Sequence, residues 1–234
     1  MQTPLLRSTT EFLIQRYVLL WILLLPFLFA GCPKKEAVIT GPVPLSTVGV
    51  SVPEGQLIIF NEPGAYFTFV VEGKRIENVE GGGMPLAMKV DGNYVQMTSP
   101  AIADFFSGDP SDTPDHDLLT MHQAWEVSWL SAQAQTEELG LYREHITLPN
   151  GRGCLVWTLD TPNHPTHLIV TTVLRPRLLV LSAVVTGDNQ DRLLDLLLTS
   201  METLERKKSP VDVEWIRDSV IVLNKRAERA GSGG

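Results

Sequence analysis

The chain has 234 residues, of which 44% are hydrophobic, and a formal net charge of −8. A chain of this length can bury the core of a domain. Its acidic balance argues against non-specific nucleic-acid binding, which needs a basic surface, and against electrostatic adsorption to anionic lipid. The composition therefore predicts one acidic domain with no nucleic-acid partner.

The N-terminal segment has the pattern of a secretory signal. Arg7 and Arg16 form a basic flank, and the run 17–30 after them is apolar. This run is shorter than the roughly 20 residues that span a bilayer, and a short apolar core behind a basic flank is typical of a cleaved signal. An uncleaved signal anchor is the alternative, which Glu11 within the flank keeps open.

Phe29, Ala30, Gly31 and Cys32 resemble a bacterial lipobox, with Phe29 where leucine is usual. The resemblance implies cleavage before Cys32 and attachment of acyl chains, such as palmitate, to that cysteine. Several chains anchor a protein stably, because each buried CH₂ contributes ~0.8 kcal/mol. Pro33 stands where retention in the inner membrane usually requires aspartate, which favours the outer membrane. We therefore expect a lipoprotein that faces the periplasm.

The region after the cysteine divides into a tether and the first strands. Residues 33–54 carry four prolines, which predicts an extended tether. The glycine run 81–83 is interpreted as a flexible loop, because no helix opening follows it as a phosphate cradle requires. The best hairpin has Asp91-Gly92 at its tip. The predicted strands are 57–60, 66–71 and 75–80, with the hairpin at 88–97.

A long helix is predicted over 114–138. Thr113 suits its N-cap and Pro114 its first position. Its apolar stripe consists of Leu118, Met121, Trp125, Trp129 and Ala132. We expect this stripe to bury Trp125 and Trp129 against a sheet, with His122 half-buried at its edge.

Four strands follow, and their short turns imply an antiparallel meander. They are 141–148, 154–159, 168–174 and 178–185. The last is apolar on both faces, with Leu179 and Leu181 on one and Leu178 and Val180 on the other. Such a strand must be covered on both sides. The predicted fold class is therefore α+β: an antiparallel sheet of about six to eight strands with helices on both faces.

Two more helices are predicted, one over 188–204 and one from Ser209. Lys225 and Arg226 fall in the last turns of the second, where cations favour the helix dipole. The predicted organisation is a signal peptide (1–31), a lipidated cysteine with a tether (32–54), an α+β sandwich domain (55–205) and a C-terminal helix with a tail (206–234).

The order of strands, long helix, meander and closing helix resembles the PsbP-like α/β/α sandwich families, which include bacterial lipoproteins. The residues that carry the resemblance are 178–185 followed by 191–204. It covers about residues 55–205 and rests on pattern rather than on a chemical motif. It implies an accessory or interaction protein without catalysis, and it assigns no functional residue or cofactor to this chain.

Candidate chemistry is sparse. No G-x-S-x-G, H-E-x-x-H, Walker A or C-x-x-C motif occurs. His164 and His167 have metal-like spacing, but zinc needs three or four ligands. Asp115 and His116 belong to an acidic cluster that lacks the glycine and terminal glutamate of a calcium loop. These four residues are weak metal candidates, and Cys154 is interpreted as a buried hydrophobe. No catalytic residue, metal or cofactor is predicted.

The function favoured by the sequence is a lipid-anchored, non-catalytic accessory or scaffold protein that binds another envelope protein. The alternatives are a small-ligand or metal-binding lipoprotein and, third, an enzyme. An exposed apolar patch would favour a protein partner. A deep apolar pocket would favour a small ligand, and perturbed titratable groups in a cleft would favour an enzyme.

Overall fold

The structure is a computed structural model and describes residues 47–79, 86–134, 140–160 and 165–221. The predicted signal peptide, the lipobox and His164 lie outside these ranges. Within the described ranges, no helix combines the length and the apolar character that crossing a bilayer requires.

Strands dominate the described chain. They are β1 Thr47–Val52, β2 Gly55–Glu62, β3 Ala65–Glu72, β4 Ile76–Asn78, β5 Leu86–Val90, β6 Asn93–Thr98, β7 Gly140–Thr147, β8 Gly153–Asp160, β9 His167–Leu174, β10 Arg177–Val184 and β11 Glu205–Lys207. The helices are a 3₁₀ turn Ile102–Asp104, α1 Asp115–Ala134, α2 Gln190–Glu202 and α3, which comprises the helical residues 213–221.

The strands form two antiparallel sheets. The large sheet has seven strands in the order β4-β5-β6-β10-β9-β8-β7, and the small sheet has four in the order β1-β2-β3-β11. Asp91 and Gly92 both have positive φ at the predicted hairpin tip, as a two-residue turn between twisted strands requires. The predicted α+β class with one large antiparallel sheet is confirmed, and the small sheet is an addition that the sequence did not predict.

Strand β10 lies inside the large sheet, between β6 and β9. Leu178 and Val180 belong to the hydrophobic cluster under α1, whereas Leu179 and Leu181 belong to the cluster that includes the buried face of α2. The expectation that helices cover both faces of this strand is therefore confirmed. Because alternating side chains on a strand point to opposite faces, each helix covers one of the two sets of β10 side chains.

The small sheet closes the α2 side of the molecule. Phe60, Phe67 and Phe69 join the same cluster as the α2 residues, and the Phe60 and Phe67 rings stack with centroids 4.6 Å apart. The outer face of this sheet carries Val48, Val50 and Ile59, which pack with half-buried residues of α3 and the segment before it.

The described elements depart from the sequence prediction most clearly at three places. Residues 47–52, placed in the tether, form β1, because Val48 and Val50 alternate towards α3 and the strand pairs with β2. Strand β11 was not predicted; its three residues pair with β3 at the sheet edge. The third helix begins at 213 rather than at Pro210, since the Asn61 side chain of β2 hydrogen-bonds both the N–H and the carbonyl of Val211, which lies before the helix.

Candidate interaction surface on helix α1

Helix α1 packs on the large sheet through a face that is partly polar. Its buried residues are Leu118, Leu119, His122, Gln123 and Glu126. The helix contacts β8 and β9, where Trp157 is fully buried in the same cluster as Leu118 and Leu119. Two side-chain contacts join α1 to the edge strand β7: Arg143 donates to Gln123 at 3.3 Å, and Thr120 Oγ1 lies 3.3 Å from His145 Nε2.

This orientation overturns the predicted burial of the tryptophan stripe. Met121 remains 42% exposed and Trp125 39% exposed, and Trp129 is only half-buried. The helix is rotated by about 90° from the predicted face, which is close to one residue position. The sheet beneath already contains Trp157, and the helix places smaller and polar side chains over it instead of its own tryptophans.

The exposed side of α1 presents an apolar stripe with an acidic start. Asp117, Met121 and Trp125 are spaced four residues apart, so they follow one another along the helix surface. Phe105 flanks this stripe, with its ring centroid 6.3 Å from that of Trp125. We call Asp117, Met121, Trp125 and Phe105 the α1 outer face.

Arg175 holds the loop that precedes α1 through hydrogen bonds to two of its carbonyls. The Nε of Arg175 donates to the Pro110 carbonyl at 2.9 Å, and a terminal nitrogen of the same guanidinium donates to the Thr113 carbonyl at 2.6 Å. It also pairs with Asp115 at the start of α1. Through these contacts with three different partners, Arg175 joins the turn between β9 and β10 to the start of α1.

A pair of titratable groups is buried beneath α1. His122 Nδ1 lies 3.7 Å from Glu126 Oε2, which is too long for a hydrogen bond, and neither atom has another hydrogen-bond partner. Burial lowers the pKa of His122 to about 4 and raises the pKa of Glu126 to about 7. At pH 7 the His122 side chain is therefore neutral, whereas the Glu126 carboxyl is close to the midpoint of its titration.

The buried pair lacks the access that catalysis needs. The side chain of His122 is 2% exposed and that of Glu126 is 10% exposed, so neither lines an open cleft. Trp157 Nε1 and Thr171 Oγ1 are further buried polar atoms without a hydrogen-bond partner, on the sheet face under the helix. The sequence pointed to His122 as half-buried, but it gave no signal for Glu126, whose burial depends on the rotation of α1.

Of the weak metal candidates, the structure describes Asp115, His116 and His167, and it does not bring these three together. Asp115 is engaged by Arg175. His116 lies 3.2 Å from Asp117 and stacks on His145 with ring centroids 3.8 Å apart. Burial, followed by the charges of His116 and Arg143, lowers the pKa of His145. His167 begins β9, and among the described residues no group of three or more His, Cys, Asp or Glu is placed to hold a metal.

Cys154 is a structural thiol. It is 1% exposed in the core between the large sheet and α2. Burial, opposed by a hydrogen bond with Thr172 and by the charge of Arg152, raises its pKa to about 11. A thiol that stays protonated at neutral pH is a poor nucleophile.

A comparison with solved structures found a weak similarity to a cyanobacterial protein. The solution structure of cyanobacterial PsbP (CyanoP) from Synechocystis sp. PCC 6803 aligns with a TM-score of 0.45 and 13% sequence identity. The alignment covers 75% of this chain and all of that one. No protein-family model and no curated protein matches the sequence.

Proposed function

We propose that this chain is a non-catalytic accessory protein of the bacterial cell envelope, anchored by lipid at Cys32, and that it binds another envelope protein through the α1 outer face. The observation that carries the proposal is the exposure of Met121 and Trp125 on one helix stripe. Aromatic residues and methionine are enriched at protein interfaces, and tryptophan is frequent among the residues that dominate binding energy.

Contacts within the protein support the proposed face. Trp125 lies beside the rings of Phe105 and His122, with centroids 6.3 and 6.0 Å away, and Arg175 holds the start of the helix. A preorganised face loses less conformational entropy on association. Asp117 at the start of the stripe, with half of its side chain exposed, favours a partner that places a basic residue beside its apolar contact.

The non-catalytic part of the proposal is supported by the state of the reactive groups. His122 and Glu126 are closed off from solvent, and burial keeps the Cys154 thiol protonated. These side chains contribute to packing rather than to chemistry on a bound molecule.

A crosslinking experiment tests the proposed face. A photoreactive phenylalanine analogue replaces Trp125 in the full chain expressed in its own envelope. The matched control places it at Trp215 of α3, which is 65% exposed but lies far from α1 in the sequence. We expect a discrete protein adduct from position 125 and none of the same mass from position 215. Equal adducts from both sites, or none from position 125, would overturn the proposal.

A further inference from the structure

A basic depression lies at the edge of the small sheet. It is an open hollow of about 410 Å³ lined by Gly64, Tyr66, Arg206, Lys207 and Lys208. The pairing of Lys207 with Tyr66 brings β11 beside the start of β3 and the turn that precedes it. We call these five residues the basic depression.

The charges of the depression are poorly neutralised. Lys207 pairs with Glu205, whereas Arg206 and Lys208 make no ion pair within the described part of the chain. Three cations and one carboxylate leave a local charge of +2 on a protein whose net charge is −8. Arg206 and Lys208 are exposed, so the positive charge is available to a ligand.

The shape of the depression leaves room at its rim. Gly64 has a φ of +80° and a side chain at this position would have no neighbour within 4 Å, so the turn does not close the hollow. Tyr66 contributes an aromatic wall that is half-buried. The volume lies in the range of sites for small molecules, roughly 300–1,000 Å³.

We propose that the basic depression binds a phosphate group, carried by a lipid headgroup or by a small soluble phosphate compound. Guanidinium donors match phosphate oxygens in pairs, and lysine adds a compact positive charge. The two cations that lack a carboxylate partner provide the contacts, and the open rim accepts the remainder of the ligand. The site is independent of the α1 outer face and does not rest on the function proposed for it.

Lysine footprinting tests the site in the full chain. The protein is placed in nanodiscs of phosphatidylcholine, and its lysines are acetylated with an N-hydroxysuccinimide ester and quantified by mass spectrometry. One arm adds inorganic phosphate, with chloride at equal ionic strength as its reference. The other arm replaces part of the neutral lipid with phosphatidylglycerol. Lys74 and Lys89, which are exposed and lie outside the depression, serve as internal references.

We expect the acetylation of Lys208 relative to Lys74 and Lys89 to fall by at least about twofold, since half-occupancy protects half of the amines. Protection by added phosphate identifies a soluble ligand, and protection by phosphatidylglycerol identifies a headgroup. Arg206→Gln should remove the protection, whereas the control Lys89→Gln, in which Lys74 alone serves as the reference, should keep it. An unchanged ratio in both arms, or equal protection in Arg206→Gln, would overturn the proposal.

Discussion

His122 and Glu126 face each other one turn apart under helix α1, with Nδ1 and Oε2 separated by 3.7 Å and no hydrogen bond at either atom. Each group is buried in a setting that disfavours its charged form. Because burial shifts the two pKa values in opposite directions, ionisation of Glu126 at higher pH and protonation of His122 at lower pH should each destabilise the packing of α1.

Glu126→Gln tests the alkaline side of this sensitivity. Burial raises the pKa of Glu126 from 4.5 to about 7, so the folded state is stabilised below pH 4.5 and this contribution is lost as pH rises through 7. The variant cannot ionise here, so its free energy of unfolding should exceed that of the wild type increasingly from pH 4.5 to 8. The gain is at most about 3 kcal/mol, measured by urea denaturation across this pH range.

His122→Gln is the companion variant. Its effect on the free energy of unfolding should grow as the pH falls, whereas the effect of Glu126→Gln grows as the pH rises. Burial lowers the pKa of His122 from 6.5 to about 4, so the wild type loses stability as pH falls from 6.5 to 4. The variant should lose less over that interval. If the free energy of unfolding depends on pH between 4 and 8 in the same way for the wild type and both variants, the two groups do not have the shifted pKa values that burial gives them.

A pair of tryptophan variants tests the orientation of α1. Trp157 is fully buried under the helix, whereas Trp125 is 39% exposed. Trp157→Ala should lower the free energy of unfolding by about 3–5 kcal/mol, and Trp125→Ala should cost less than about 1 kcal/mol, as surface substitutions do. Chemical denaturation of both variants measures the contrast. A larger cost for Trp125→Ala than for Trp157→Ala would indicate that α1 faces the sheet through its apolar stripe, as the sequence predicted.

Strand β10 should be among the most stable parts of the domain. Leu179, Leu181 and Ala183 are buried, and the strand has hydrogen-bonded neighbours on both sides. Amides of such central strands exchange only near global unfolding. Native-state hydrogen exchange should find residues 179–183 among the slowest and the edge strand β7 faster. Rapid exchange at Leu181 would argue against the sandwich.

The lipid anchor is tested at Cys32, because acylation requires its thiol. Cys32→Ser should abolish labelling by a radioactive or clickable palmitate and leave the precursor unprocessed by the lipoprotein signal peptidase. Cys154→Ser is the matched control, since that buried thiol should not be acylated. Equal labelling of wild type and Cys32→Ser would refute the lipobox interpretation.

Local sequence patterns were enough to predict the large sheet and the helices that cover its two faces. Alternation on β10 is a local property with a period of two residues, and a strand apolar on both faces admits few arrangements. The Asp91-Gly92 turn was equally readable, since a two-residue turn demands residues that adopt positive φ. Both features depend on residues that are adjacent in the sequence, so they can be predicted from the sequence alone.

The side of α1 that faces the sheet depends on residues from other elements and could not be predicted from the helix itself. The helix offers one side with Met121 and Trp125 and another with His122 and Glu126, and hydrophobicity alone favoured the former. Trp157, on another element, lies beneath the helix, and Arg143 of β7 engages Gln123. The basic depression likewise requires β11 to meet β3, which are about 140 residues apart in the chain. Such contacts join distant segments, and no local pattern encodes them.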